Sequence, residues 1–125
     1  MELLKIFDQN RIFVYDTSRG FYRFIKLHFE KDFSIDLCNK IDQFDDFYKN
    51  LPYYQHCIFV VNSHVDLINL LRLFSKTDTI LLAVMVKDLE NKFDDFNNII
   101  KLNLDLPKKE LINFLHKYIS LSVAE

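Results

Sequence analysis

Short apolar runs alternate along the chain with amphipathic segments of helical period. The apolar runs predict five strands, at residues 11–16, 33–38, 56–61, 79–86 and 99–104. The third and fourth runs, HCIFVV and TILLAVMV, are apolar on both faces. Strands buried on both faces occupy the interior of a parallel sheet, so these two are expected at its centre.

The segments between the strands predict five helices. Their apolar residues recur at i, i+3, i+4 and i+7, and a capping residue precedes most of them. Proline in the first turn of the last segment fits a helix start, because the missing N–H has no partner there in any case. The predicted helices begin after Thr17 or Ser18, Asp42, Asn62 or Ser63, Asp88 and Pro107.

Alternation of strands and helices predicts the fold class: a three-layer α/β/α sandwich around a doubly wound, five-stranded parallel sheet in flavodoxin-like order 2-1-3-4-5. The 125 residues suit one domain, with an N-terminal extension at 1–10 and a core at 11–121. A hairpin through the extension would find no free edge on the first strand. We therefore expect an arm or short helix packed outside the sheet or against a second copy.

Composition narrows the function classes. A net charge of −2 with dispersed basic residues argues against nucleic acid or an anionic membrane as partner. A single glycine excludes glycine-rich phosphate loops, and the apolar runs are too short to span a bilayer. The first residues lack a signal-peptide pattern, so a cytoplasmic protein is expected. Cys38 and Cys57 sit in apolar runs and are predicted to be buried and reduced.

Ligands of open α/β sheets bind at the carboxyl ends of the strands, near the reversal in strand order. Here that rim would be built from short stretches of sequence. They are residues 16–18 after strand one, 62–64 after strand three, 83–86 after strand four and 105–107 after strand five.

Four stretches resemble the CheY-like receiver domain of bacterial two-component response regulators, over residues 11–121. RIFVYDTS is similar to the family's first strand and acidic pair, and CIFVVN to the third strand, which ends on the phosphoacceptor aspartate. TILLAV is similar to the fourth strand with its hydroxyl switch, and NLDLPKKELINFL to the fifth strand, Lys-Pro step and last helix. The resemblance implies a stand-alone domain in two-component signalling.

The chain departs from the family at its functional positions. Asp16 matches the first acid, whereas Thr17 replaces the second and Asn62 the phosphoacceptor. Ala83 or Val84 stands at the hydroxyl switch, and Leu106 replaces the lysine before proline. Phosphoryl transfer needs a carboxylate nucleophile, Mg²⁺ ligands and a cation on the phosphoryl oxygens. We therefore expect a pseudo-receiver that is not phosphorylated, has no enzymatic activity and requires neither metal nor cofactor.

The resemblance further implies action through protein–protein interaction, with a homodimer as one possible form. In the family the face made by helix four, strand five and helix five commonly contacts partners. The corresponding positions in this chain are Lys87, Lys92, Phe96, Lys101, Asn103, Lys108 and Tyr118. The sequence identifies neither the partner nor its pathway.

Two alternatives remain open. Asp16-Thr17-Ser18 also resembles the start of PIN-type nucleases, in which aspartates bind a catalytic metal, with Asp66 and Asp78 as the nearest further carboxylates. The other alternative is a functional receiver whose acceptor is displaced. Asp66 is the nearest aspartate, and it is expected inside the third helix, away from the strand end.

Overall fold

A single parallel sheet organises the molecule. The computed structural model describes residues 11–76 and 79–124. Its strands run in the order β2-β1-β3-β4-β5, and every neighbouring pair is parallel. The predicted fold class and strand order are confirmed. The strands are β1 (Arg11–Tyr15), β2 (Ser34–Cys38), β3 (His56–Val61), β4 (Ile80–Val84) and β5 (Ile99–Lys101). The predicted N-terminal arm lies outside the described residues.

Helices cover both faces of this sheet. Short 3₁₀ turns precede the second and third helices, at Ile41–Gln43 and His64–Asp66. Two more lie at Leu51–Tyr53 and Lys87–Leu89. The α-helices within the described ranges are α1 (Gly20–Phe29), α2 (Phe44–Tyr48), α3 (Leu67–Leu73) and α4 (Lys108–Ala124).

The predicted helix starting at Asp88 is wrong. The segment between β4 and β5 forms the 3₁₀ turn and then a series of turns. Leu89 and Phe93 are buried as the helical spacing suggested. However, five Asn and Asp residues lie between positions 91 and 98, and these side chains compete for backbone hydrogen bonds and favour turns.

Two apolar layers hold the sandwich together. On one face Phe13, Tyr15 and Phe59 pack with residues of α2 and α3, and on the other Ile12 and Val14 pack with α1 and α4. Alternate residues of β1 therefore enter opposite cores, and all of the strand beyond its first residue is buried. β3 is buried along its whole length, as its apolar sequence predicted.

The helix starts agree only in part with the predicted caps. Ser63 is the N-cap residue before α3, and the Pro107 carbonyl accepts from the Leu111 amide in the first turn of α4. The residue before α1 is Arg19, in a left-handed conformation with φ of 69°, rather than Thr17 or Ser18. Lys40, not Asp42, precedes the turn that leads into α2.

Both cysteines are buried and free, as predicted. Cys38 pairs in register with Tyr15, whereas Cys57 pairs with Phe13 on the other side of β1. Burial raises the pKa of Cys38 to about 11 and that of Cys57 to about 12. Both thiols are therefore protonated at neutral pH and make poor nucleophiles.

Candidate functional site

The carboxyl ends of β1 and β3 meet at a short polar contact. Asp16 follows β1 and Asn62 follows β3. The Asn62 side-chain amide donates to Asp16 Oδ1 at 2.8 Å and lies 3.4 Å from Thr17 Oγ1. The parallel pairing of the two strands brings their last residues to the same edge, so the topology creates this contact.

Asp16 is fully buried, and both oxygens of its carboxylate accept hydrogen bonds from protein donors. Oδ1 accepts from the Ser18 amide at 3.1 Å and the Ser18 hydroxyl at 2.9 Å, in addition to Asn62. Oδ2 accepts from the Tyr22 amide in the first turn of α1 at 2.9 Å. The carboxylate thus caps α1 from the strand end, which explains why the helix needs no capping side chain at Arg19.

Asp66 forms a second buried carboxylate beside the first. Its Oδ2 accepts from the backbone amides of Asn62 at 2.8 Å and Ser63 at 3.1 Å, and its Oδ1 accepts from the Tyr15 hydroxyl at 2.9 Å. The expectation that Asp66 lies away from the strand end is wrong. The 3₁₀ turn begins directly after Ser63, so Asp66 folds back onto the end of β3.

A continuous hydrogen-bonded chain links the two carboxylates to the neighbouring loop. Asn69 of α3 donates to the Tyr15 hydroxyl at 3.2 Å and to the Ile41 carbonyl at 3.2 Å. We call Tyr15, Asp16, Asn62, Asp66 and Asn69 the rim network. Burial raises the pKa of Tyr15 far above its ordinary value, so its hydroxyl stays a neutral donor. The network ties β1, β3, α1 and α3 into one fixed arrangement.

The remaining rim positions are apolar. Ala83 is fully buried opposite Val60, and Val84 pairs with Val61. Neither side chain carries a hydroxyl. Leu106 is half-buried and packs against the core on the α1/α4 side of the sheet. The side chains at these positions provide no donor for a phosphoryl oxygen.

Two cations near this edge, Arg19 and Lys101, bond to other parts of the protein. With the Asn39 amide oriented so that its oxygen faces Arg19, the guanidinium donates to that oxygen from Nε at 2.7 Å and from Nη2 at 2.6 Å. Lys101, on β5, donates to the Glu90 carbonyl at 2.6 Å and to Asp94 at 3.1 Å. Both contacts hold loops of the protein itself.

Metal ligands do not converge either. Within residues 11–76 and 79–124, no three His, Cys, Asp or Glu side chains form a group that could hold a metal ion. Asp16 and Asp66 are the two carboxylates of the rim network, and Asp78, the third candidate of the nuclease hypothesis, lies outside the described residues. His64 Nε2 lies 3.3 Å from a carboxylate oxygen of exposed Asp88.

The residues predicted to form a partner face contact different parts of the molecule. Phe96 is exposed, and its ring centroid lies 5.2 Å from that of Phe74. The Lys108 ammonium lies 5.7 Å from the ring of Phe24 on α1, and Tyr118 lies 6.0 Å from His56 near the amino ends of the strands. Lys87, Lys92 and Asn103 are exposed, whereas Lys101 makes the contacts given above.

Sequence reasoning missed Tyr15 and Asn69. Both are buried polar residues that join Asp66 to the loop after β2. A weak signal was present in each case. Tyr15 ends an apolar strand, and Asn69 interrupts the apolar run of α3, and a polar residue at a core position requires a hydrogen-bond partner.

Comparison with known proteins supports the fold. No protein-family model matches the chain, and no curated protein matches it. A crystal structure of a CheY-like response regulator receiver domain protein from Methanospirillum hungatei JF-1 is similar, with a TM-score of 0.65 at 11% identity. The alignment covers 91% of this chain and 96% of that one. The chain therefore has the CheY-like receiver fold. In the described part, no helix is long and apolar enough to cross a membrane.

Proposed function

We propose that this chain is a pseudo-receiver: a receiver-like signalling domain that is not phosphorylated and acts by binding another protein. The observation that carries the proposal is that protein donors already bind both oxygens of Asp16. Asn62 occupies the position that the receiver resemblance assigns to the phosphoacceptor, and its amide is bonded to buried Asp16.

The chemistry of phosphoryl transfer supports this proposal. An amide is a much weaker nucleophile than a carboxylate and brings no charge to Mg²⁺. Asp16 has both oxygens bound to protein donors, so a metal would have to displace the cap of α1. Leu106 supplies no positive charge to the phosphoryl oxygens.

Asp66 is poorly suited to act as a displaced acceptor. It is fully buried, and three protein donors occupy its two oxygens. Attack on a phosphodonor would require the first turn of the α3 segment to open. The rim network would have to break before the carboxylate could reach solvent.

The test is incubation with acetyl phosphate and Mg²⁺, followed by intact-mass measurement, with a phosphorylatable receiver domain as positive control. No mass increase of one phosphoryl group is expected. A stoichiometric increase would overturn the proposal, and peptide mapping would then distinguish Asp16 from Asp66. Beryllofluoride with Mg²⁺ provides a second readout, and no change in amide NMR shifts around Asn62 is expected.

Protein binding is tested by site-specific photo-crosslinking in the native cell. A crosslinking amino acid at Phe96, which is 43% exposed and is one of the residues predicted to contact a partner, is expected to capture a distinct protein. The matched control replaces Tyr53, an aromatic residue that is 68% exposed. Identical products at the two positions, or no product at Phe96, would contradict the proposed face.

A further inference from the structure

A cavity lies at the edge of the sheet opposite the rim network. It encloses about 300 Å³ at the amino ends of β3 and β4. Leu81 forms part of its apolar wall, and Tyr54 and Tyr118 add aromatic surface. Gln55 and His56, at the start of β3, also line it. This volume lies at the lower end of the range for small-molecule sites.

Two polar atoms of the lining residues are buried without a hydrogen-bond partner among the described residues. They are Oε1 of Gln55 and Nε2 of His56. His56 is 5% exposed, and its ring also bonds to the Ile119 backbone. A buried polar atom left unpaired costs about 1–3 kcal/mol, so two in one cavity call for a ligand or bound water.

The hydrogen-bonding character of both atoms defines what would fit. With one ring nitrogen donating to the Ile119 carbonyl, the neutral His56 ring presents Nε2 as a lone-pair acceptor. Burial lowers the pKa of His56, which keeps the ring neutral at pH 7. Gln55 Oε1 is likewise an acceptor. A matching ligand must therefore bring donors.

The charge and shape of the cavity wall further restrict the kinds of ligand that would fit. The lining residues include one cation, Lys76, and no carboxylate, so a cationic ligand is disfavoured. The Tyr118 hydroxyl bonds to Thr79, and Tyr118 lines the cavity beside the His56 ring. Aromatic walls favour a planar ligand that can stack against them.

We propose that the cavity binds a small, uncharged, planar heterocycle with N–H donors, of nucleobase type, held by Gln55 and His56. The alternative is that the cavity holds only water. The site is independent of the rim network, so binding there is compatible with either outcome of the phosphorylation experiment.

The experiment uses adenine and cytosine as probes on the full chain, with ¹⁵N-labelled histidine followed by NMR. A saturable shift of the His56 Nε2 resonance is expected for at least one probe. N6,N6-dimethyladenine or N4,N4-dimethylcytosine, which lack the exocyclic N–H groups, should bind about tenfold more weakly than the parent base, the loss expected for one hydrogen bond. No saturable shift with either probe would mean that water alone fills the cavity and would overturn the proposal.

Substitutions of residues that line the cavity provide a second test of the proposal. Gln55→Leu removes one acceptor at a half-buried position and should weaken probe binding about tenfold while the thermal transition persists. His56→Phe keeps a ring of similar size and should do the same. Tyr53→Phe is the control and should leave binding unchanged, because Tyr53 is exposed and does not line the cavity. Unchanged affinity in folded Gln55→Leu protein would also overturn the proposal.

Discussion

The side-chain amide of Asn62 donates to the buried carboxylate of Asp16 at 2.8 Å. The end of β3 is thereby fixed to the end of β1 by a neutral donor and a charged acceptor. An aspartate at position 62 would place two carboxylates within hydrogen-bonding distance. Asn62, at the position that the receiver resemblance assigns to the phosphoacceptor, therefore stabilises the carboxylate of Asp16 in the folded state.

Asn62→Asp should consequently destabilise the domain at pH 7. The variant loses a donor to a buried carboxylate and gains a like charge beside it, so a loss of about 2–3 kcal/mol is expected. The loss should shrink as the pH falls, because protonation of one carboxyl relieves the repulsion. Urea unfolding at several pH values measures it. Asn62→Ala, which adds no charge, is the control, and an equal pH dependence in both variants would contradict the explanation.

The backbone conformation of Arg19 leads to a second prediction about stability. Its φ of 69° lies in the left-handed region, where a side chain costs about 1 kcal/mol and glycine does not. Arg19→Gly should therefore be more stable than Arg19→Ala by about 1 kcal/mol. Both variants lose the contacts with Asn39 equally, so their difference isolates the backbone. Chemical unfolding measures the free energy of unfolding of both variants. A more stable alanine variant would show that the backbone at position 19 is not strained.

Much of the fold could be predicted because burial is encoded in the apolar pattern. β3 is apolar at every position and is buried at every position, which fixes it inside the sheet. The segment after β4 could not be predicted in the same way. Leu89 and Phe93 have helical spacing, yet turns also bury both side chains, and periodicity alone does not distinguish the two.

The site was predictable in its position but not in its bonding. Parallel strand order places Asp16 and Asn62 at one edge from sequence alone. The donors that bond to Asp16 include the backbone amides of Ser18 and Tyr22. Every residue except proline has such an amide, so residue types carry no information on which amides reach the carboxylate. The same holds for Asp66, whose Oδ2 partners are the amides of Asn62 and Ser63.

The two faces of α3 should differ sharply in their response to substitution. Leu70→Ala removes a side chain that is 1% exposed and should cost about 2–5 kcal/mol, because it leaves a cavity in the core. Ile68→Ala and Leu71→Ala remove side chains that are each 63% exposed and should change stability by about 0.5 kcal/mol or less. Thermal and urea unfolding of the three variants provide the comparison. A large loss at Ile68 or Leu71 would mean that the face is covered in solution, for example by a second copy.

The buried thiols make the domain sensitive to alkaline pH. Burial raises the pKa of Cys57 from 9.0 to about 12 and that of Cys38 from 9.0 to about 11. Because each thiol ionises more easily in the unfolded chain, its stabilising contribution is complete below pH 9 and is lost as the pH rises toward the folded-state value. Each cysteine should steepen the decline of the unfolding free energy by about 1.4 kcal/mol per pH unit once its unfolded form has ionised.

Urea unfolding between pH 9 and 11 of Cys57→Ala and Cys38→Ala measures these slopes. Each substitution should remove one thiol's share of the slope, whatever its effect on stability at pH 7. Tyr15 and Tyr54 also have raised pKa values, with ordinary values of 10.0, so their contribution enters only above that pH. Tyr15→Phe should leave the slope below pH 10 unchanged and reduce it above. Wild-type slopes retained in both cysteine variants would show that the thiols are accessible to solvent in the folded protein.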